Sequence, residues 1–179
     1  INALFTSRIA MPHEGAARIE FDIDESCYHA AGAAHGTVYF KMLDDAAFYA
    51  PPRLVTHIDE QAIAALSTFY GEVIAPGSTV LDLMSSWGSH LPRDLELGEV
   101  IGHGMNAVEL DTNPRLSRSF VQDLNHDPML PLGDATCDAA LCCVSVQYLQ
   151  QPLAVFAEVR RVLRPGGPFL VSYSNRCFP

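Results

Sequence analysis

The chain has 179 residues, of which 49% are hydrophobic, and carries a formal net charge of -10 with a pI near 4.9. That size permits one moderate domain with a real core, or a small domain with an appendage. Phosphate neutralisation requires clustered Lys and Arg, and the absence of any basic run of five or more residues argues against a broad nucleic-acid surface.

The first fifty residues differ from the rest. Residues 17–24 alternate in part, with Ile19, Phe21 and Ile23 on one side and Arg18, Glu20, Asp22 and Asp24 on the other, as in a half-buried strand. Small residues fill 29–36, and 37–49 carry apolar side chains at helical spacing. Pro51 and Pro52 interrupt that helix. One strand and one helix bury little surface alone. Residues 1–50 are therefore expected to form a strand–helix appendage that packs on the following domain, on another chain, or stays loose.

From residue 51 to 179 the order becomes alternating helix and strand. Asp59 is placed to cap a helix over Glu60–Val73, with Ile63, Leu66, Phe69, Tyr70 and Val73 along one broad face. Pro76-Gly77 ends it, and Thr79–Leu83 reads as the first buried strand. A short helix is expected over 91–97, a second strand over 99–103 and a helical turn over 107–111. A third strand is expected over 120–123 and a strongly apolar fourth over 137–144. An amphipathic helix over 152–163, the turn Arg164-Pro165-Gly166-Gly167 and a fifth strand over 168–173 follow. Repeated units of this length predict an α/β fold, a Rossmann-like open and mainly parallel sheet flanked by helices.

Five cysteines, Cys27, Cys137, Cys142, Cys143 and Cys177, give an odd count without C-x-x-C spacing. They read as thiols in a reducing, cytoplasmic compartment, with no metal site. No apolar stretch reaches membrane-spanning length, and the start lacks the order of a secretory signal, so no membrane partner is expected.

Ligand chemistry is expected where the strands end. Asp82 lies near the end of the first strand, and Ser85, Ser86, Gly88 and Ser89 follow, small enough for the backbone to turn and approach a ligand. A carboxylate there accepts hydrogen bonds and repels phosphate, which favours a nucleoside-like, cationic or zwitterionic ligand. The second loop is 103–106. The third holds Gln122, Asp123, Leu124 and Asn125, in which Asp123 suits the exocyclic N–H of a base and Leu124 its ring face. Ser145 follows the fourth strand.

These residues, in this order, resemble the class I S-adenosylmethionine-dependent methyltransferases, in particular the small-molecule branch called type 11, over residues 51–173. Val80-Leu81-Asp82-Leu83 corresponds to the first motif, Gln122-Asp123-Leu124 to the adenine-side motif, Cys137-Asp138-Ala139-Ala140 to the fourth strand's opening, and EVRRVLRPGG at 158–167 to the helix and turn before the fifth. The resemblance implies S-adenosylmethionine as cofactor and methyl transfer to a small molecule. It implies a cofactor pocket bordered by Asp82, Ser85, Ser86, Gly88, Asn106, Asp123, Leu124 and Ser145. His90, His103 and Tyr148 are candidates to touch the acceptor, although no spacing singles out a catalytic base. The chain departs from the family in two places. Serines replace the usual Gly-x-Gly of the first loop, and Gly104 occupies the position of the acid that normally holds the ribose, leaving Asn106, Glu109 or His103 to substitute.

Fuller members of that family continue beyond the fifth strand, so the sheet is expected to be C-terminally truncated, with an exposed edge through which copies of the chain associate. The competing expectation is an inactive or partner-dependent remnant of the fold. A further resemblance, of His35-Gly36 and Leu43-Asp44-Asp45-Ala46 within residues 17–50, is to the start of hotdog-fold thioesterases. It implies acyl-thioester hydrolysis with Asp44 or Asp45 as the acid.

Overall fold

A computed structural model describes residues 7–13, 16–21, 51–56 and 58–173. The chain divides into two compact units, 1–44 with 175–179, and 45–174. In the first, β1 (Ser7–His13) and β2 (Ala16–Phe21) form an antiparallel hairpin, with Ile9 opposite Ile19 and a register irregularity between Ala10 and His13. The alternation at 17–24 thus marks the second strand of a pair, and its partner β1 was not anticipated. The helix expected over 37–49, with His35, Asp44 and Asp45, lies outside the described residues.

The second unit is built on five parallel strands in the order β5-β4-β3-β6-β7: β3 (Thr79–Leu83), β4 (Glu99–Gly104), β5 (Arg118–Val121), β6 (Ala139–Cys143) and β7 (Phe169–Ser172). Among the described residues β7 pairs with β6 alone. Helix α1 (Glu60–Val73) starts where Asp59 accepts the Ala62 N–H at 2.9 Å. It stops before Gly77, whose φ of +79° reverses the chain. Its Tyr70, with Ile74, packs against Val80, Leu91, Val100, Ala139 and Leu141 on one face of the sheet. The other face buries Leu81, Leu83, Ile101 and Ala140 against Val155, Val159 and Val162 of α3 (Pro152–Val162). Alternation along each strand therefore feeds two cores. No helix among the described residues is long and apolar enough to cross a membrane.

The 91–97 helix does not form. Pro92 lacks an N–H, and outside donors take the segment's acceptors: Arg115 Nη2 donates to the Leu95 carbonyl at 2.9 Å and the Gly77 N–H to the Glu96 carbonyl at 2.8 Å. Residues 84–98 thus cross between β3 and β4 as an irregular segment anchored by buried Leu91. The third strand lies two residues earlier than expected. It pairs with β4 from Arg118 to Val121, and Asp123 has already entered a turn, accepting the Asn125 N–H at 2.9 Å. Cys137 falls outside β6 and makes an isolated bridge to Leu163. It is a free, buried thiol like Cys142, and burial pushes the Cys142 thiol up to about 12.

Two residues of the 137–167 pattern do structural work. Asp138 accepts the Thr79 N–H at 2.8 Å and pairs with Arg164, and these bonds hold its carboxyl below the usual range. Arg161 donates to the Leu130 and Leu132 carbonyls at 3.0 and 2.8 Å and pairs with Glu158 and Asp134, both at 2.7 Å. It fixes the 130–134 loop to α3. Arg161→Ala should lower unfolding free energy by about 1–3 kcal/mol, since it removes the donor to the Leu132 carbonyl and one of the two donors to the Leu130 carbonyl. Lys should recover little, because an ammonium cannot reproduce the planar fork. Urea unfolding checks both; an unaltered Ala variant would contradict this role.

Candidate functional site

The carboxyl ends of β3, β4 and β6 place three loops side by side. At the end of β3, Asp82 is 4% exposed and accepts hydroxyl hydrogen bonds from Ser85, at 2.7 Å, and from Ser89. Burial pushes its carboxyl above the usual value, and the two hydroxyls oppose that shift. Asn113 completes the network by donating to the Ser86 carbonyl at 2.9 Å and to Ser89 Oγ at 3.0 Å. The sequence reading missed Asn113, although the Asn113-Pro114 pair after a helical turn was a visible signal that the chain bends there.

The loop turns through Met84, a non-glycine residue at φ +56°. Its N–H donates to Nδ1 of His103 at 3.1 Å, and the Ser85 N–H donates to the His103 carbonyl at 2.6 Å. His103 Nε2 in turn donates to the Gln122 carbonyl at 2.9 Å, so one neutral imidazole ties three loops together. At 1% exposure His103 reaches no acceptor molecule, which corrects that expectation. Burial holds its pKa down to about 4.

Gly104 explains the missing acid. A Cβ there would lie 2.6 Å from the Ser85 carbonyl oxygen, so the folded-back loop leaves no room for a side chain. Of the expected substitutes, Asn106 caps α2 (Ala107–Thr112), accepting the Val108 and Glu109 N–H groups at 3.0 and 3.2 Å. Glu109, 9% exposed, faces the loop and accepts Ser86 Oγ at 2.5 Å and the Arg53 N–H at 2.7 Å.

The remaining candidates divide. Gly88 is exposed and nothing lies within 4 Å of its missing side chain. Ser145 donates to the Cys143 carbonyl at 2.7 Å and lies 3.4 Å from the Met84 carbonyl, joining the β6 loop to the first. Asp123 is half-buried, and one carboxylate oxygen accepts Asn125 N–H while the other has no hydrogen-bond donor among the described residues. Leu124 is 3% exposed and packs in the core with Leu81 and Leu83, which leaves its backbone rather than its side chain for a ligand. His90 is half-buried, and burial lowers its pKa against the pull of Asp82. Tyr148 is half-buried beside the same loops, its carbonyl accepting Asn125 Nδ2 at 3.1 Å. The arrangement gathers three carboxylates, of Asp82, Glu109 and Asp123, with serine hydroxyls, and suits a ligand rich in N–H, O–H and positive charge.

Two outcomes follow from this geometry. Gly104→Ala should cost about 1–3 kcal/mol by forcing the Ser85 carbonyl away; thermal unfolding unchanged from wild type would contradict the contact. His103 titrates near 4 when folded and near its ordinary 6.5 when unfolded. As pH falls below 6.5 the unfolded chain therefore takes up the proton first. The stability associated with His103 is complete above pH 6.5 and is lost progressively down to about pH 4. Urea midpoints should fall across that window, and His103→Gln should remove the His103 share of the slope.

Comparison with known proteins finds likeness in both sequence and fold. Residues 97–171 match the family model described as Methyltransferase domain. A curated relative, an uncharacterized 37.1 kDa protein in transposon TN4556 of Streptomyces fradiae, is 29% identical over 131 residues, covering 66% of this chain and 38% of that protein. Among solved structures, PH0226 from Pyrococcus horikoshii OT3 is 23% identical, with a TM-score of 0.56, covering 77% of this chain and 66% of its own. An S-adenosylmethionine-dependent methyltransferase from Mesorhizobium loti is 23% identical, with a TM-score of 0.51 and coverage of 62% and 52%. The chain thus spans only part of each relative's length. The parallel-sheet unit is thus similar in sequence to a methyltransferase domain over residues 97–171, and similar in fold to these solved structures.

Proposed function

We propose that the 45–174 unit binds S-adenosylmethionine at the carboxyl ends of β3, β4 and β5 and serves methyl transfer to a small molecule. The observation that carries this reading is the buried Asp82 with its Ser85 and Ser89 partners, the latter also bonded by Asn113, set at the strand end where sheets of this type hold ligands. The donor set fits the cofactor's chemistry. Hydroxyls of Ser85 and Ser86 and the open backbone at Gly88 suit the methionine carboxylate. The carboxylate of Asp82 suits the ammonium group. The second carboxylate oxygen of Asp123, without a donor among the described residues, suits the exocyclic amine of adenine, with the Leu124 backbone and Ser145 completing the border and Asn106 holding α2 in register.

When bound, S-adenosylmethionine supplies a methyl group activated by an adjacent sulfonium. The chain's own contribution is to orient both reactants, and orientation can dominate such a reaction without an acid–base pair. We take His90 and Tyr148 as the side chains that would touch an acceptor, with His90 the candidate to accept a proton. A second reading, a cofactor-binding domain without turnover, is favoured by the sealing of His103 and by Gly104 in place of an acid.

Calorimetry with S-adenosylmethionine and S-adenosylhomocysteine tests the reading. Asp82→Ala should weaken both at least tenfold, equivalent to about 1.4 kcal/mol, while circular dichroism stays near wild type. No binding to folded wild-type protein at millimolar ligand would sink the proposal. Unchanged affinity in the folded variant would place the cofactor at another loop.

A further inference from the structure

Glu109 is buried, and among the described residues no cationic side chain pairs with it. A carboxylate removed from water without a counter-charge is costly unless donors replace its hydration. Here the donors come from two separate segments, the Arg53 N–H of residues 51–56 and the Ser86 hydroxyl of the first loop. A third bond links the same two segments, since Trp87 Nε1 donates to the Val55 carbonyl at 3.0 Å. Residues 51–56 are otherwise exposed, with Leu54 and Val55 each at 54%. The strap is therefore held against the loop by directional hydrogen bonds rather than by apolar burial at these positions. Glu109 is the group common to strap, loop and α2.

We propose that Glu109 is a positioning residue: its carboxylate latches the 51–56 strap and the Ser86 hydroxyl to α2, and this latch sets the shape of the serine loop that receives the ligand. The latch works through the acceptor oxygens of the side chain and is local. Removing the carboxylate releases the Arg53 amide and Ser86 together, and the strap then swings away from Trp87. The inference deepens the cofactor reading and rests on it only where a ligand is added.

Trp87 is the single tryptophan of the chain, so its emission reports on the strap without a label. In ligand-free Glu109→Ala, the Arg53 amide should exchange with solvent at least tenfold faster and Trp87 emission should shift to the red, with circular dichroism unchanged. Glu109→Gln keeps the reach and one acceptor oxygen, and should restore Arg53 protection. Ser86→Ala removes only the loop contact, and should leave the Arg53 amide protected while altering Trp87 emission. S-adenosylhomocysteine affinity, read through Trp87, should fall at least tenfold in Glu109→Ala. Wild-type Arg53 exchange and Trp87 emission in folded Glu109→Ala would overturn the latch, and so would a released strap with unchanged ligand affinity. Where Glu109→Ala does not fold, Ser86→Ala decides, and wild-type emission in that variant overturns the proposal. Failure of wild-type protein to bind S-adenosylhomocysteine removes the cofactor reading, while the ligand-free measurements still decide the latch.

Discussion

The contact on which this site depends is the one between Ser85 and the end of β4. The Ser85 N–H bonds to the His103 carbonyl, and the Ser85 carbonyl occupies the space a side chain at 104 would need. Parallel strands usually require a helix to cross between them. Here the 84–98 crossover is irregular, and this pair of backbone contacts pins its start to the sheet. Only with Ser85 so placed do the Ser85 and Ser89 hydroxyls reach Asp82, and only then does Ser86 reach Glu109. His103 acts beneath the contact as a buried neutral brace rather than as chemistry.

Two non-glycine residues with left-handed backbone flank the ends of neighbouring strands, Met84 after β3 and Val144 after β6. Each conformation costs on the order of 1–3 kcal/mol and persists where its surroundings over-determine it. Both turns aim a serine at shared ground: Ser85 binds Asp82, and Ser145 lies against the Met84 carbonyl. Buried carboxylates add to the cost, and hydroxyl and amide donors offset it. A site that carries strain and carboxylates with no paired cation among the described residues is suited to a ligand that brings donors and positive charge. The hypothesis of cofactor binding draws on that match, since the fold by itself hosts many functions.

The sheet was largely legible because its signals are local. Pro and Gly ahead of an apolar run marked β3 and β7, a continuous apolar run marked β6, and Asp59 with its periodic apolar residues marked α1. Asp82 was legible because a carboxylate at the end of a buried strand is chemically conspicuous. Several of the failures are tertiary. The 91–97 segment has helical spacing, yet Arg115 and Gly77 from elsewhere take its carbonyls. Arg161 looked like part of a motif, and only the fold shows that it clamps the 130–134 loop. Asn113 enters the site from the far end of a short helix, a proximity that no sequence spacing encodes, whereas Glu109 in its first turn was among the expected substitutes for the missing acid. Leu124 read as a ring-facing residue because apolar residues next to a loop carboxylate look alike whether they line a crevice or fill a core.

The central claim is that the loop pinned at Ser85 receives an adenosyl ligand. Backbone amide shifts recorded during titration with S-adenosylhomocysteine test it most directly. The account expects saturable changes gathered at residues 82–89, 102–109 and 122–125, with little response along α3 and β7. Saturable binding with its largest changes outside those three segments would contradict it.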